Sequence, residues 1–213
     1  MIVPKRLVQL DVDSTFIQQE AIELLAAKAG VLEEVSRVTE AAMRGELDFA
    51  ESLRARVALL KGLPETVVVD VQREILLTDG AELLVKTLHN KGHCVALVSG
   101  GFSDILKPLV EALGIKHYRA NKLGIANGLL TGTVEGAIID RAAKAEALKS
   151  FAAECDVRLQ DTVAIGDGAN DLDMMEIAGI SIAFNAKPVV VQAADYAINE
   201  PSLRSVLDLI GEI

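Results

Sequence analysis

One alternation restricts the fold of this chain more than any other feature. Four short apolar runs, at residues 7–10, 94–98, 162–165 and 180–184, are each followed closely by Gly, Ser or Asp and then by a stretch of helical period. Runs and helices in that order predict a parallel sheet with crossover helices. After the second run, Phe102, Ile105, Leu106, Leu109, Val110 and Leu113 define one apolar helix face. Pro108 interrupts that face, which predicts either a kink or a helix that properly begins near Lys107. Leu203, Val206, Leu207 and Ile210 repeat the period after Pro201 and Ser202 and predict a short closing helix.

Between Phe16 and Leu76 the alternation stops. The stretch reads as consecutive helices, with residues 67–71 the one strand-like run of comparable strength. Ile17, Ala21, Leu24 and Leu25 define one apolar face, and Phe49, Leu53, Val57 and Leu60 another. A helical block inserted after the first strand sits beside the carboxyl ends of the strands, where open α/β sheets bind ligands. It is placed to be a lid. Farther on, Asn127-Gly128 between apolar flanks predicts a small hairpin within residues 118–135. With 213 residues, 51% of them hydrophobic, the chain can bury a sizeable core and is not intrinsically disordered.

The chemistry-bearing residues fall where the runs end. The first run leads into Asp11-Val12-Asp13-Ser14-Thr15. A strand period of two projects Asp11 and Asp13 to the same side, where two carboxylates repel unless a cation or a proton reconciles them. Alone, the pair reads equally as a polar turn in which Asp and Ser cap the next helix. The third run ends in Gly166-Asp167-Gly168-Ala169-Asn170-Asp171, and the second in Ser99-Gly100-Gly101, a hydroxyl and backbone N–H groups suited to an anion. Each is also compatible with a plain glycine-rich turn. Their concurrence at one end of three strands is what a bland core would not need.

Together with Lys144, in residues 140–144, these stretches resemble the haloacid dehalogenase superfamily of phosphatases in all four motifs and in their order, over nearly the whole chain. Within it, DVDST (11–15), Glu20, the segment around Arg56 (52–64), VSGGF (98–102), TGTVEG (131–136), GDGAND (166–171) and AFNAKP (183–188) look like the branch that acts on O-phospho-L-serine. The resemblance implies an α/β fold: a Rossmann-type parallel-sheet core over residues 1–15 and 76–213, a helical cap domain over 16–75, and the small hairpin. Hinges are expected near residues 15–17 and 76–80. It implies Mg²⁺ held by Asp11, the backbone carbonyl of Asp13 and Asp167, with Asp171 orienting that shell. Asp11 would be the nucleophile of an aspartyl-phosphate route, and Asp13 the acid and then the base. Ser99, the Gly100 N–H and Lys144 would cradle the phosphoryl group, and Asn170 would contact it or the substrate. Arg56 would take the substrate carboxylate and Glu20 its ammonium. Phe49 and Met43 are candidates for an apolar pocket wall, although Phe49 is equally well explained as cap core.

Charge narrows the partners. Against 31 Asp and Glu stand 21 Lys and Arg, and the net charge of −10 opposes general affinity for nucleic acid or anionic lipid. No stretch reaches ~18 apolar residues, and the first residues carry no secretory pattern. The expectation is a cytoplasmic enzyme, a monomer or homodimer, acting on a small molecule. The alternatives are a related phosphatase or phosphotransferase for another small phosphometabolite, and a noncatalytic phosphoamino-acid sensor on the same scaffold. Cys94 and Cys155 stand far apart without a CxxC and read as buried free thiols. His89, His93 and His117 share no metal-ligand spacing and read as surface or capping residues.

Overall fold

A computed structural model describes residues 4–43 and 47–211. Its first half runs β1 (Leu7–Asp11), α1 (Ala21–Ala29), α2 (Leu32–Met43), α3 (Phe49–Ala58), α4 (Thr66–Glu74), α5 (Ala81–Asn90), β2 (Cys94–Phe102) and α6 (Ser103–Leu113). The second half runs β3 (His117–Ala126), β4 (Leu129–Glu135), α7 (Arg141–Glu154), β5 (Thr162–Gly166), α8 (Leu172–Ile177), β6 (Ile180–Phe184), α9 (Pro188–Ala193), β7 (Tyr196–Ile198) and α10 (Arg204–Gly211). All four apolar runs are strands.

The sheet has seven strands in the order β4-β3-β2-β1-β5-β6-β7. Every pairing is parallel except β3 with β4, the hairpin closed by Asn127 and Gly128 at φ 52° and 74°. Positive φ at both central residues is what a type I′ hairpin turn requires, and it explains the Asn-Gly pair. β1 is central, so its side chains alternate into two buried layers. Val8 and Leu10 pack with α5, α6 and α10 on one face. Leu7 packs with α7, α8 and α9 on the other. A third cluster joins Leu25, Val35, Leu53, Val57 and Val71 of α1–α4 to Phe102, Ile105, Leu123 and Leu130.

Three local expectations change. Residues 67–71 lie inside α4, because Val67, Val68 and Val71 share one buried helical face, and tertiary burial overrides β propensity. α6 runs through Pro108 from Ser103, with neither the late start nor a break. Proline leaves the carbonyl four residues back without its helical donor; here that carbonyl, of Asp104, accepts from Gln72 Nε2 of α4 at 2.8 Å. Ile17 belongs to the main core rather than to the α1 face, and bridges Leu77.

The two connections flanking residues 18–76 run side by side. Gln18 N donates to Leu76 O at 2.9 Å, Thr78 N to Phe16 O at 3.0 Å, and Thr78 Oγ1 to Thr15 O at 2.7 Å. None of the described helices is long and apolar enough to cross a membrane.

Candidate active site

The site lies at the carboxyl ends of the three adjacent strands β2, β1 and β5. Asp11 closes β1, Asp167 follows β5, and Asp171 sits in the turn before α8. Carboxylate oxygens of the three lie within 4.8 Å of one another. Asp171 is fixed as part of the turn: its Oδ2 accepts from Asp167 N at 3.2 Å and Gly168 N at 3.1 Å. A Cβ on Gly166 would stand 2.3 Å from that oxygen, so the strand can end there only as glycine.

Lys144 enters from the first turn of α7, whose N-cap Asp140 accepts from Ala143 N at 2.9 Å. Its ammonium is fully buried, donating to Asp11 Oδ1 and to Asp171 Oδ1, the latter at 2.7 Å. Burial alone would discharge Lys144, but the two carboxylates outweigh it and hold the ammonium above its ordinary range. Asp11 is pushed well above the usual carboxylate range by burial, with Lys144 opposing and Asp171, Asp167 and Asp13 adding to the rise. Asp167 rises to about 6, through burial and then Asp171. Three carboxylates converge on one ammonium, and all the convergent carboxylate donor atoms are oxygens. Such a set fits a hard divalent cation of the Mg²⁺ kind.

Asp13 departs from the strand geometry. β1 ends at Asp11, and Ser14 takes φ 58°, so the chain turns before a second period is complete. The Asp13 carboxylate accepts instead from Ala21 N, at the start of α1, at 2.7 Å and from Ser99 Oγ at 2.8 Å. It is not one of the three convergent carboxylates. Ser99 is buried in β2 and also accepts from Gly101 N at 2.7 Å. Asn170 lies half-buried over Gly168.

The helices of the insertion close over this pocket. Glu20, just before α1, accepts from Ser14 Oγ at 2.7 Å and is pushed up to about 7 by burial and by Asp13. Arg56, on α3, is half-buried; burial lowers its pKa while Glu20 and Asp13 oppose the shift. Its Nε donates to Ser52 O at 3.3 Å. Phe49 Cζ would stand 2.8 Å from a Cβ at position 100, so glycine there lets the ring lie on the backbone of β2. The side chain of Met43 lies outside the described residues.

Two supports carried weaker sequence signals. Gln9 Nε2 donates to the Lys144 carbonyl at 3.1 Å, fixing α7 against β1. Asn121 Nδ2 donates to the Gly100 carbonyl at 2.8 Å while its Oδ1 accepts from Ile139 N, also at 2.8 Å. Each is a buried amide; Gln9, between Val8 and Leu10, stands out in sequence as a polar residue in an apolar strand, and Asn121, beside Lys122, carries no such mark.

A sheet of this order, with an acid at the end of its central strand, a buried lysine and a carboxylate turn on the next strand, defines a class. The model of the haloacid dehalogenase-like hydrolase family matches residues 8–176, and the chain belongs to that family. Phosphoserine phosphatase of Streptomyces coelicolor is 57% identical over 207 residues, which are 97% of this chain and 50% of that protein. The chain thus spans about half the length of that relative. Phosphoserine phosphatase of Lactococcus lactis is 48% identical over 209 residues, covering 98% of this chain and 97% of that one. A solved structure described as a phospho-aspartyl intermediate analogue of phosphoserine phosphatase superposes with a TM-score of 0.91 at 44% identity, covering 97% and 99% of the two chains.

Proposed function

We propose that this chain hydrolyses O-phospho-L-serine to serine and inorganic phosphate through an aspartyl-phosphate on Asp11, with Mg²⁺. The observation that carries the reading is the Asp11 carboxylate, buried at a strand end against Lys144 and two further carboxylates, beneath a lid that offers Glu20 and Arg56. The likeness to phosphoserine phosphatases over nearly the whole chain supports the substrate.

An Asp11 carboxylate oxygen attacks phosphorus and the bond to the serine oxygen breaks, with Asp13 protonating the leaving oxygen. Water then attacks the phosphorus, its proton passes to Asp13, and the acyl-phosphate P–O bond breaks to release phosphate. Asp13 is held for both tasks by Ala21 N and Ser99 Oγ. A carboxylate approaching a phosphate meets repulsion of roughly 4 kcal/mol per charge pair at ~4 Å in a surface-like dielectric. Asp11, Asp167 and the Asp13 carbonyl, with Asp171 behind them, would hold Mg²⁺, which when bound would supply charge neutralisation and polarisation of the phosphoryl oxygens. Lys144, Ser99 and the Gly100 N–H bind the phosphoryl group in flight, and Asn170 contacts it from the β5 turn.

Arg56 binds the substrate carboxylate with its planar fork and Glu20 binds the ammonium. Residues 16–75 act as the cap over a core of 1–15 and 76–213, and the paired connections at 15–17 and 76–80 serve as its hinge. The enzyme works in the cytoplasm on a small molecule, as a monomer or homodimer, without nucleic acid or membrane; two free cysteines suit a reducing compartment.

A substrate panel tests the reading by phosphate release. O-phosphoserine should exceed generic phosphomonoesters by orders of magnitude in kcat/KM. Equal rates across the panel would overturn the substrate assignment and leave the related phosphatase or phosphotransferase.

A further inference from the structure

The opposite edge of the sheet gathers a second set of side chains. Cys94 opens β2, His117 opens β3, and Cys155 directly follows α7. Their two sulfurs and a ring nitrogen lie within 4.8 Å of one another. His117 Nε2 stands 3.4 Å from Cys155 Sγ. On the other side of the ring, Nδ1 stands 3.1 Å from Glu154 Oε2. The ring also packs against Phe151, centroids 5.5 Å apart, and Lys5 Nζ donates to the Cys155 carbonyl at 2.7 Å.

We propose that Cys94, His117 and Cys155 form a second metal site, selective for Zn²⁺, with water as the fourth ligand. Two sulfurs and an imidazole are soft and borderline donors that disfavour Mg²⁺ and suit a tetrahedral d¹⁰ ion. A carboxylate on the remote ring nitrogen fixes the tautomer that leaves Nε2 free to ligate, the arrangement common behind metal-bound histidines. Glu154 is therefore a positioning residue. Cys94 and His117 are half-buried, which leaves a path for the ion. On binding, each thiol gives its proton to solvent and ligates as the thiolate.

The site ties three elements together at the end of the sheet remote from the carboxylates. Ser99 lies five steps along β2 from Cys94, about 17 Å at ~3.3 Å per strand residue. It is a structural clasp rather than part of the hydrolytic chemistry.

The test is titration of reduced, metal-free protein with Co²⁺ in excess Mg²⁺, which keeps the oxygen-donor site occupied. One equivalent should produce a near-ultraviolet thiolate-to-Co²⁺ charge-transfer band, which an all-oxygen site cannot give, and added Zn²⁺ should bleach it. Cys94→Ser and Cys155→Ser should each remove most of the band. Glu154→Gln should keep the band but weaken affinity by about 10-fold or more. Retained phosphatase activity with Mg²⁺ checks that the variants are folded. No band in the parent protein, or a band unchanged in both cysteine variants, overturns the proposal.

Discussion

The two edges of the sheet hold opposite chemistry. At the carboxyl edge Asp11, Asp167 and Asp171 converge around a buried ammonium, and at the amino edge Cys94 and Cys155 converge on an imidazole. The carboxyl set comes from adjacent strand ends, whereas the amino set combines the start of β2, the start of β3 two residues out of step with it, and the residue just after α7. What separates the edges is charge. At the carboxyl edge burial and neighbouring carboxylates push Asp11 and Asp167 up, whereas at the amino edge burial pushes up the Cys155 thiol and so favours its neutral form. An edge under electrostatic strain is poised to act; a relaxed one can only brace.

The largest break in that contrast should come from Asp11→Asn. Phosphate release should fall by at least about 10⁴-fold, with the thermal transition intact because a buried charge has been removed. Retained turnover would mean that Asp11 is not the nucleophile. Lys144→Met tests the strain directly. It leaves two buried carboxylates, Asp11 and Asp171, without their counter-charge, so unfolding in urea should show a loss of about 3–5 kcal/mol in metal-free protein, partly restored by Mg²⁺.

Glu20 gives a pH signature. Its carboxyl, pushed up to about 7 in the folded chain from an ordinary 4.5, favours folding fully below pH 4.5. That contribution is lost as pH rises through 7, about 3 kcal/mol over the window. Glu20→Gln should flatten this slope in metal-free melts, and should also remove the fall in KM for phosphoserine between pH 6 and 8. Arg56→Ala should raise KM for phosphoserine about 10- to 100-fold while scarcely affecting a phosphomonoester that lacks a carboxylate. If both substrates suffer equally, Arg56 is structural. The smallest effect belongs to the amino edge: Cys94→Ser should leave kcat with Mg²⁺ within about twofold, as expected of a conservative change about 17 Å from the chemistry.

The legibility of these regions in sequence follows the range of the forces that form them. Strands β1, β2, β5 and β6 stand out as apolar runs because burial selects their residues one by one. The Asn127-Gly128 turn stands out because backbone conformation selects them directly. β7 carries no comparable run: it is three residues long, and Tyr196 and Ala197 are exposed. The Val67–Val71 stretch shows the same limit from the other side, since β-branched residues become helical when Val67, Val68 and Val71 find one apolar partner surface. Asp11, Lys144, Asp167 and Asp171 come together as neighbouring strand ends and one helix turn would bring them. The turn of Asp13 away from them depends on the left-handed Ser14, and serine carries little signal for that conformation. Cys94, His117 and Cys155 have no local spacing at all; only the sheet order makes them neighbours.

The unpaired carbonyl that Pro108 leaves in α6 constrains how the cap can move. Gln72 of α4 fills the vacancy, so the insertion and the core are riveted at that point by a bond that the α6 backbone cannot replace. Prising α4 away would orphan a half-buried acceptor, a penalty of about 1–3 kcal/mol. A cap that swings as proposed must give up this bond at one end and the Ala21 N–Asp13 bond at the other, so its closed position is pinned at two separate corners.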